Sequence, residues 1–129
     1  TFLYYLQEEF PAEIPLNVTQ LPVEKAAQIL LQQYQQDISI QDLASQVGLS
    51  RSTLFRQFKK LYHKSPQQFL LETRLLKART LLTDTNLSIK EITLEVGYHD
   101  QLVFSKAFKN FFYVSPKFYR QGWKNPPSN

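Results

Sequence analysis

The chain has 129 residues, of which 43% are hydrophobic and 14% aromatic, enough apolar surface for one domain or two very small ones. It contains no cysteine, which excludes a disulfide framework and a thiolate metal site. The net charge is +4, no apolar run approaches a membrane span and no secretory leader is visible, so a cytoplasmic protein without a membrane partner is expected. The chain starts at Thr1 rather than Met, which suggests a piece of a longer protein.

The first residues of the chain, 1–20, are interpreted as a linker or as the tail of a preceding effector or dimerisation domain. The stretch FLYYLQEEF has helical spacing, and Pro11 and Pro15 interrupt it. Glu8, Glu9 and Glu13 make this segment acidic. At the opposite end, residues 124–129 are predicted to form a flexible tail.

Helix start and stop signals follow in order. The helix PVEKAAQILLQQYQQ opens with a proline, which suits the first helical position. Ser39 and Asp42 are spaced as a capping box in front of IQDLASQV, and Gly48 can take the left-handed conformation that ends a helix sharply. Ser50 is the predicted N-cap of the next helix, RSTLFRQFKKLY.

A longer helix comes next. Ser65 and Pro66 are a second start signal, and Gln68 is placed to close a capping box with Ser65. The sequence that follows, QQFLLETRLLKARTLL, predicts a long amphipathic helix over residues 67–82.

The same helix start and stop signals then recur with a period near 50 residues. Ser88 stands 49 residues after Ser39 and begins another capping box, and Gly97 stands 49 residues after Gly48. The Ser-Pro pair recurs 50 residues later, at 115–116. Such a period indicates that one helical unit has been duplicated.

The duplication predicts an all-α fold with a pair of subdomains joined by the long helix. The domain is placed at residues 21–123, with subdomain one at 21–66, the linker helix at 67–82 and subdomain two at 83–123. Each unit is a short capped helix, a turn with a glycine and a second helix, which is the arrangement of a helix-turn-helix motif. A plain helical hairpin is the simpler alternative.

Basic residues without acidic neighbours occur at equivalent places in the two repeated units. Residues 1–50 carry a net charge of −5 and residues 51–129 a net charge of +9. The windows 51–71 and 101–129 occupy equivalent places in the two units, and each holds five Lys or Arg and no acid. A solvated helix usually mixes charges for pairing along its surface, so these windows favour an anionic partner.

Helical angles divide the second helix of each unit into two faces. The predicted inward positions are Leu54, Phe58, Leu61, Phe104, Phe108 and Phe111. Tyr62, Phe112 and Tyr113 are also expected to pack. His63 and His99 are expected at the surface and not as ligands.

The outward face predicts contacts with double-stranded DNA, because the second helix of a DNA-binding helix-turn-helix enters the major groove. Arg56 can bind guanine with two parallel hydrogen bonds, and exposed Leu102 and Val103 suit thymine methyl groups. The rival explanation for Leu102 and Val103 is packing against residues 120–129, including Trp123. The predicted base-reading residues are Arg51, Ser52, Thr53, Phe55, Arg56, Gln101, Leu102, Val103 and Lys106. The predicted phosphate contacts are Ser39, Ser50, Lys59, Lys60, Ser88, Lys109 and Asn110.

Other functions find less support in the sequence. It shows no Ser/His/Asp set, no metal-ligand spacing and no phosphate-binding glycine loop, so we expect neither an enzyme nor a cofactor. The alternative to DNA binding is a helical protein-interaction module whose basic faces meet an acidic partner.

The motifs LASQVGLSRSTLFRQFKK, KSPQQF and ITLEVGYHDQLVFSKAFKN, followed by VSPKFYR, resemble the DNA-binding domain of AraC/XylS-type transcription regulators. The resemblance covers about residues 22–121. The chain departs from the family pattern at four positions: His63 and Tyr113 replace the glycine that usually follows each recognition helix, Thr93 replaces an alanine, and Phe55 replaces a commonly polar residue.

The resemblance implies seven helices in two helix-turn-helix subdomains, with recognition helices in successive major grooves about 34 Å apart. It also implies a bacterial-type promoter activator that contacts RNA polymerase. Such regulators often carry a separate sensor domain, so an effector small molecule would bind outside this chain. The stretch FLYYLQEEFP is similar to the end of that domain in sugar-responsive relatives, which suggests control of carbohydrate-utilisation genes.

Overall fold

A computed structural model of the protein describes residues 20–122, and these form seven α-helices and no strand. In chain order the helices are α1 (Pro22–Gln33), α2 (Ile40–Gln46), α3 (Arg51–Tyr62), α4 (Pro66–Asp84), α5 (Ile89–Glu95), α6 (Gln101–Phe112) and α7 (Pro116–Arg120). The predicted all-α fold is confirmed. The predictions for residues 1–19, for Trp123 and for the tail at 124–129 lie outside the described residues.

Serine N-caps set the starts of five helices. The Oγ atom of each accepts a hydrogen bond from the backbone N–H three residues later, at 3.0–3.1 Å, and the five are Ser39, Ser50, Ser65, Ser88 and Ser115. Each such cap satisfies a backbone donor that the helix leaves unpaired, and removing it typically costs about 1 kcal/mol.

One of the three predicted capping boxes closes on both sides. Glu91 accepts from the backbone N–H of Ser88 at 2.8 Å, and the hydrogen bonds from Ser88 hold the pKa of Glu91 below its usual value. The other two predicted boxes are wrong in their second half. The side chain of Gln68 donates to Glu72 at 2.9 Å instead, and Asp42 is one methylene too short to reach back to its cap as a glutamate does.

Two hydrophobic clusters form the interior of residues 20–122. The first collects buried residues of α1, α2 and α3, and the second collects those of α5 and α6. The central helix α4 contributes Leu70 to the first cluster and Leu75, Ala78 and Leu82 to the second. Its apolar side chains therefore point in several directions, and α4 lacks the single apolar stripe that the sequence predicted.

Two packing predictions are wrong. Leu61 is 43% exposed, because the cluster closes over the neighbouring Tyr62, whose ring lies 4.7 Å from that of Phe58. Tyr113 is 85% exposed, because the chain turns away from the core where α6 ends. The four predicted positions Leu54, Phe58, Phe104 and Phe108 are fully buried, and Phe111 and Phe112 are half-buried against the second cluster.

His63 and Tyr113, which stand where the family usually has glycine, still adopt the left-handed backbone conformation that favours glycine. His63 ends α3 with φ = 63° and Tyr113 ends α6 with φ = 69°, both in the left-handed region. A left-handed backbone costs a residue with a Cβ about 1–2 kcal/mol relative to glycine, and glycine returns part of this by its greater freedom in the unfolded chain.

We therefore expect Tyr113→Gly to raise the free energy of unfolding by roughly 0.5–1 kcal/mol, measured by urea denaturation. The exposed tyrosine ring gives up little packing. Tyr113→Ala is the matched control, since it removes the same ring and keeps the backbone strain. Equal stabilities of the two variants would contradict this explanation.

Candidate nucleic-acid interface

The second helix of the first unit, α3, presents a polar and basic face to solvent. Leu54 and Phe58 are buried, and the predicted DNA-contacting residues on the other side are exposed: Arg51, Ser52, Phe55, Arg56, Lys59 and Lys60. Thr53 differs, because it is half-buried and its Oγ1 accepts a hydrogen bond of 2.8 Å from Ser50. Its hydroxyl is part of the N-cap.

The second helix of the second unit, α6, has the same division. Asp100 caps it by accepting from the backbone N–H of Val103 at 3.0 Å. The predicted contact residues of α6 are all exposed: Gln101, Leu102, Val103, Lys106, Lys109 and Asn110. Leu102 is 65% exposed and Val103 55%, so the described residues leave two branched apolar side chains in water at the start of α6. Packing of this pair on Trp123 concerns a residue outside the described range.

The predicted phosphate-contacting serines already serve as caps. Within residues 20–122, the Oγ–H group of Ser39 has no protein acceptor, so it can donate to a phosphate oxygen. The hydroxyl of Ser88 is hydrogen-bonded to the carboxylate of Glu91. The Oγ–H of Ser50 is committed to Thr53. Ser39 is therefore better placed than Ser50 or Ser88 to donate from its side chain in the predicted role.

Neither exposed face carries a compensating carboxylate. In the described part of the chain Lys64 forms an ion pair with Glu72 at 2.6 Å and His99 lies 2.7 Å from Asp37, and neither contact includes a residue of α3 or α6. Six cationic side chains on the two helices lack an ionic partner there: Arg51, Arg56, Lys59, Lys60, Lys106 and Lys109. Unpaired cations of this density attract a polyanion.

Gln67 lies near the interface, although the sequence did not predict a role for it there. An open groove at the start of α3 is lined by Ser50, Arg51, Ser52 and Phe55, and also by Gln67 from the first turn of α4. The sequence placed Gln67 correctly at a helix start. The proximity of that start to α3 depends on the fold of the intervening chain, so no local signal could have found it.

Residues 20–122 contain no group of three or more His, Cys, Asp or Glu side chains that could hold a metal ion. No helix in this range combines the length and the apolar composition needed to cross a bilayer.

Two helix-turn-helix units with exposed basic second helices define a DNA-binding protein of the helix-turn-helix class. The sequence profile of a family described as a helix-turn-helix domain matches residues 43–122. The chain belongs to the AraC-type helix-turn-helix family of transcription regulators, as its motifs indicated. The prediction of DNA binding for transcription regulation is confirmed at this level.

Relatives of known role support the assignment. The chain is 37% identical over 123 residues to the Msm operon regulatory protein of Streptococcus mutans, covering 93% of this chain and 44% of the relative. It is 35% identical over 120 residues to the lactose operon transcription activator of Staphylococcus xylosus, covering 92% and 43%. The chain therefore spans less than half the length of these curated relatives.

A solved structure supports the fold and the binding of DNA. The DNA-binding domain of AdpA, described as a global transcriptional factor and crystallised with a target DNA, superposes with a TM-score of 0.77 and 25% identity. The match covers 81% of this chain and 94% of that chain.

Proposed function

We propose that α3 and α6 enter successive major grooves on one side of a duplex and read an asymmetric site. The unpaired basic face on the second helix of each unit carries this proposal. Successive grooves are about 34 Å apart, so the two half-elements of the site would be about ten base pairs apart.

The exposed residues divide into two roles by chemistry. Arg51, Ser52, Phe55, Arg56, Gln101, Leu102, Val103 and Lys106 face the bases, with Thr53 supporting the start of α3. Arg56 binds a guanine edge, and the branched side chains of Leu102 and Val103 contact thymine methyl groups. Lys59, Lys60, Lys109 and Asn110, together with the Ser39 hydroxyl and the backbone N–H groups at the helix starts after Ser50 and Ser88, hold the phosphates.

For the whole regulator we propose promoter activation of carbohydrate-utilisation genes in the bacterial cytoplasm, with RNA polymerase as the protein partner. The name of the relative from Staphylococcus xylosus, a lactose operon activator, supports this. An effector small molecule would bind a domain that is not part of the described residues.

Selection of bound duplexes from a random library tests the proposal directly. We expect enriched sites with two half-elements about ten base pairs apart, because each recognition helix reads one groove. A gel shift with excess nonspecific duplex is the companion measurement. Loss of all binding under competition would favour the alternative, a module whose basic faces bind an acidic protein.

Two substitutions on α3 separate base reading from phosphate binding. We expect Arg56→Ala to relax preference at one base step, with about 1–3 kcal/mol of discrimination lost there. Lys59→Ala should weaken binding to all sequences by a similar factor, because phosphates carry no sequence information. Affinities of both variants for the selected site and for its single-base variants provide the measurement.

Both substituted side chains are exposed on the same helix, so each variant controls for the other in fold and charge. Equal losses for Arg56→Ala and Lys59→Ala on every duplex would contradict the assigned roles.

A further inference from the structure

Residues 34–37, the first part of the connection between α1 and α2, belong to the first unit in sequence but contact the second unit in space. The ring of Tyr34 packs against both hydrophobic clusters, although Tyr34 directly follows α1. This connection leads directly towards the helix-turn-helix of the first unit, since α2 begins at Ile40.

Arg74 on α4 holds this connection by its backbone. Its Nε donates to the carbonyl of Tyr34 at 2.7 Å, and its Nη2 donates to the carbonyl of Gln36 at 2.8 Å. The guanidinium also lies over the ring of Tyr98, with 5.7 Å between Cζ and the ring centroid. Burial lowers the pKa of Arg74, but an arginine remains charged at any physiological pH. The guanidinium of Arg74 thus contacts both residues 34–36 of the first unit and Tyr98, which lies in the turn between α5 and α6 of the second unit.

Gly97 brings that turn against the same backbone. A Cβ added at Gly97 would lie 2.6 Å from the carbonyl oxygen of Tyr34 and 2.9 Å from Nε of Arg74, and its φ is +99°. Gly48, the equivalent residue of the first unit, has φ = +76° and no atom within 4 Å of an added Cβ. Backbone conformation favours glycine at both positions, and close packing between the units requires it only at Gly97.

Two exposed contacts join the same segments at the rim. Gln35 donates to Glu95 at 2.9 Å, and His99 lies 2.7 Å from Asp37. Surface contacts of this kind contribute little free energy, so the main restraint comes from Arg74 and Gly97.

We propose that this junction, formed by residues 34–37, Arg74 and residues 97–99, is a positioning site that fixes the separation and angle of the two recognition helices. It holds the chain just before α2 and just before α6, which begins at Gln101, two residues after His99. With α4 packed in both clusters, the junction is a second attachment between the units, and two attachments resist the rotation that one would allow. It therefore determines which spacing of half-elements the protein accepts. This inference rests on the proposed reading of two grooves.

The test compares Gly97→Ala with Gly48→Ala on three kinds of duplex: the selected site, the same site with one base pair added or removed between its half-elements, and a duplex with one half-element. For Gly97→Ala we expect affinity for the selected site to fall on the order of tenfold and the preference among spacings to flatten, a size typical of coupling between two sites. Binding to the single half-element should stay within about twofold of the wild type. Gly48→Ala strains the backbone without touching the junction, so it should keep the wild-type preference among spacings.

Arg74→Lys is the second variant, because lysine keeps the charge and cannot donate from a planar fork to both carbonyls. If circular dichroism shows that Gly97→Ala does not fold, Arg74→Lys alone tests the junction's role. We expect the same flattened preference among spacings. Retention of the wild-type preference by both variants, or by Arg74→Lys when Gly97→Ala is unfolded, would overturn the junction's role.

Wild-type behaviour separates this inference from the function on which it rests. A wild-type chain that reads both half-elements but accepts all spacings equally would overturn the junction and leave the DNA-reading role intact. A wild-type chain with no sequence preference on any duplex would overturn the proposed function, and the junction's role with it.

Discussion

Replacement of Phe108 by alanine is expected to lower the free energy of unfolding by about 3–5 kcal/mol, the usual cost of removing a buried aromatic ring. Phe108 is fully buried, and its ring centroid lies 4.5 Å from that of Phe112, 5.9 Å from Phe104 and 6.0 Å from Tyr119. Three rings would therefore lose a partner at once. A domain of this size has roughly 5–15 kcal/mol of stability in total, so the loss is a large part of it.

Urea denaturation followed by circular dichroism measures this loss. Leu102→Ala on the same helix is the control, and it should stay within about 0.5 kcal/mol of the wild type because Leu102 is 65% exposed. Since α4 belongs to both clusters, we expect a single transition in every case. A loss below about 1 kcal/mol for Phe108→Ala would mean that the second cluster does not depend on this ring.

Affinity for duplex DNA is expected to fall by about fortyfold when the salt concentration rises from about 50 to about 200 mM. Each neutralised phosphate contributes a slope of about −0.9 to the logarithmic plot of affinity against salt, so about three contacts give a slope near −3. The cations assigned to phosphates supply that number of contacts, and none of them has an ionic partner in the described part of the chain: Lys59, Lys60 and Lys109.

Fluorescence anisotropy of a labelled duplex at several salt concentrations gives the slope. Lys59→Ala should reduce its magnitude by about one phosphate contact. Lys25→Ala removes an exposed charge on α1, outside the proposed interface, and should leave the slope unchanged. A shallow slope near −1 for the wild-type chain would contradict extensive phosphate binding by the two helices.

Helix starts and the duplicated unit could be predicted because their signals are local. A serine cap and the N–H that it satisfies are three residues apart, so the bond at Ser88 can be read directly from the chain. Opposite faces of a helix are likewise separated by its 3.6-residue period. The exposed basic faces of α3 and α6 follow from that period and from the absence of acids in both helices.

Helix ends were harder to predict, because a missing glycine removes the usual signal while the backbone requirement stays. His63 and Tyr113 take up left-handed conformations that their residue types disfavour. Leu61 shows a related difficulty. Its angle on α3 is inward by periodicity, but the position of Phe69 on α4 moves the centre of packing towards Tyr62, whose ring lies 5.7 Å from that of Phe69.

Residues far apart in the chain form the junction between the units, and their pairing has no local signal. Arg74 lies 40 residues from Tyr34 and 38 from Gln36, and Asp37 meets His99 across 62 residues. The residue order was sufficient to predict the helices, their repetition and their charged faces, because these depend on neighbours within one or two turns. The folded chain alone shows which two carbonyls Arg74 binds and why a Cβ at position 97 would displace its neighbours, because these depend on how one unit packs against the other.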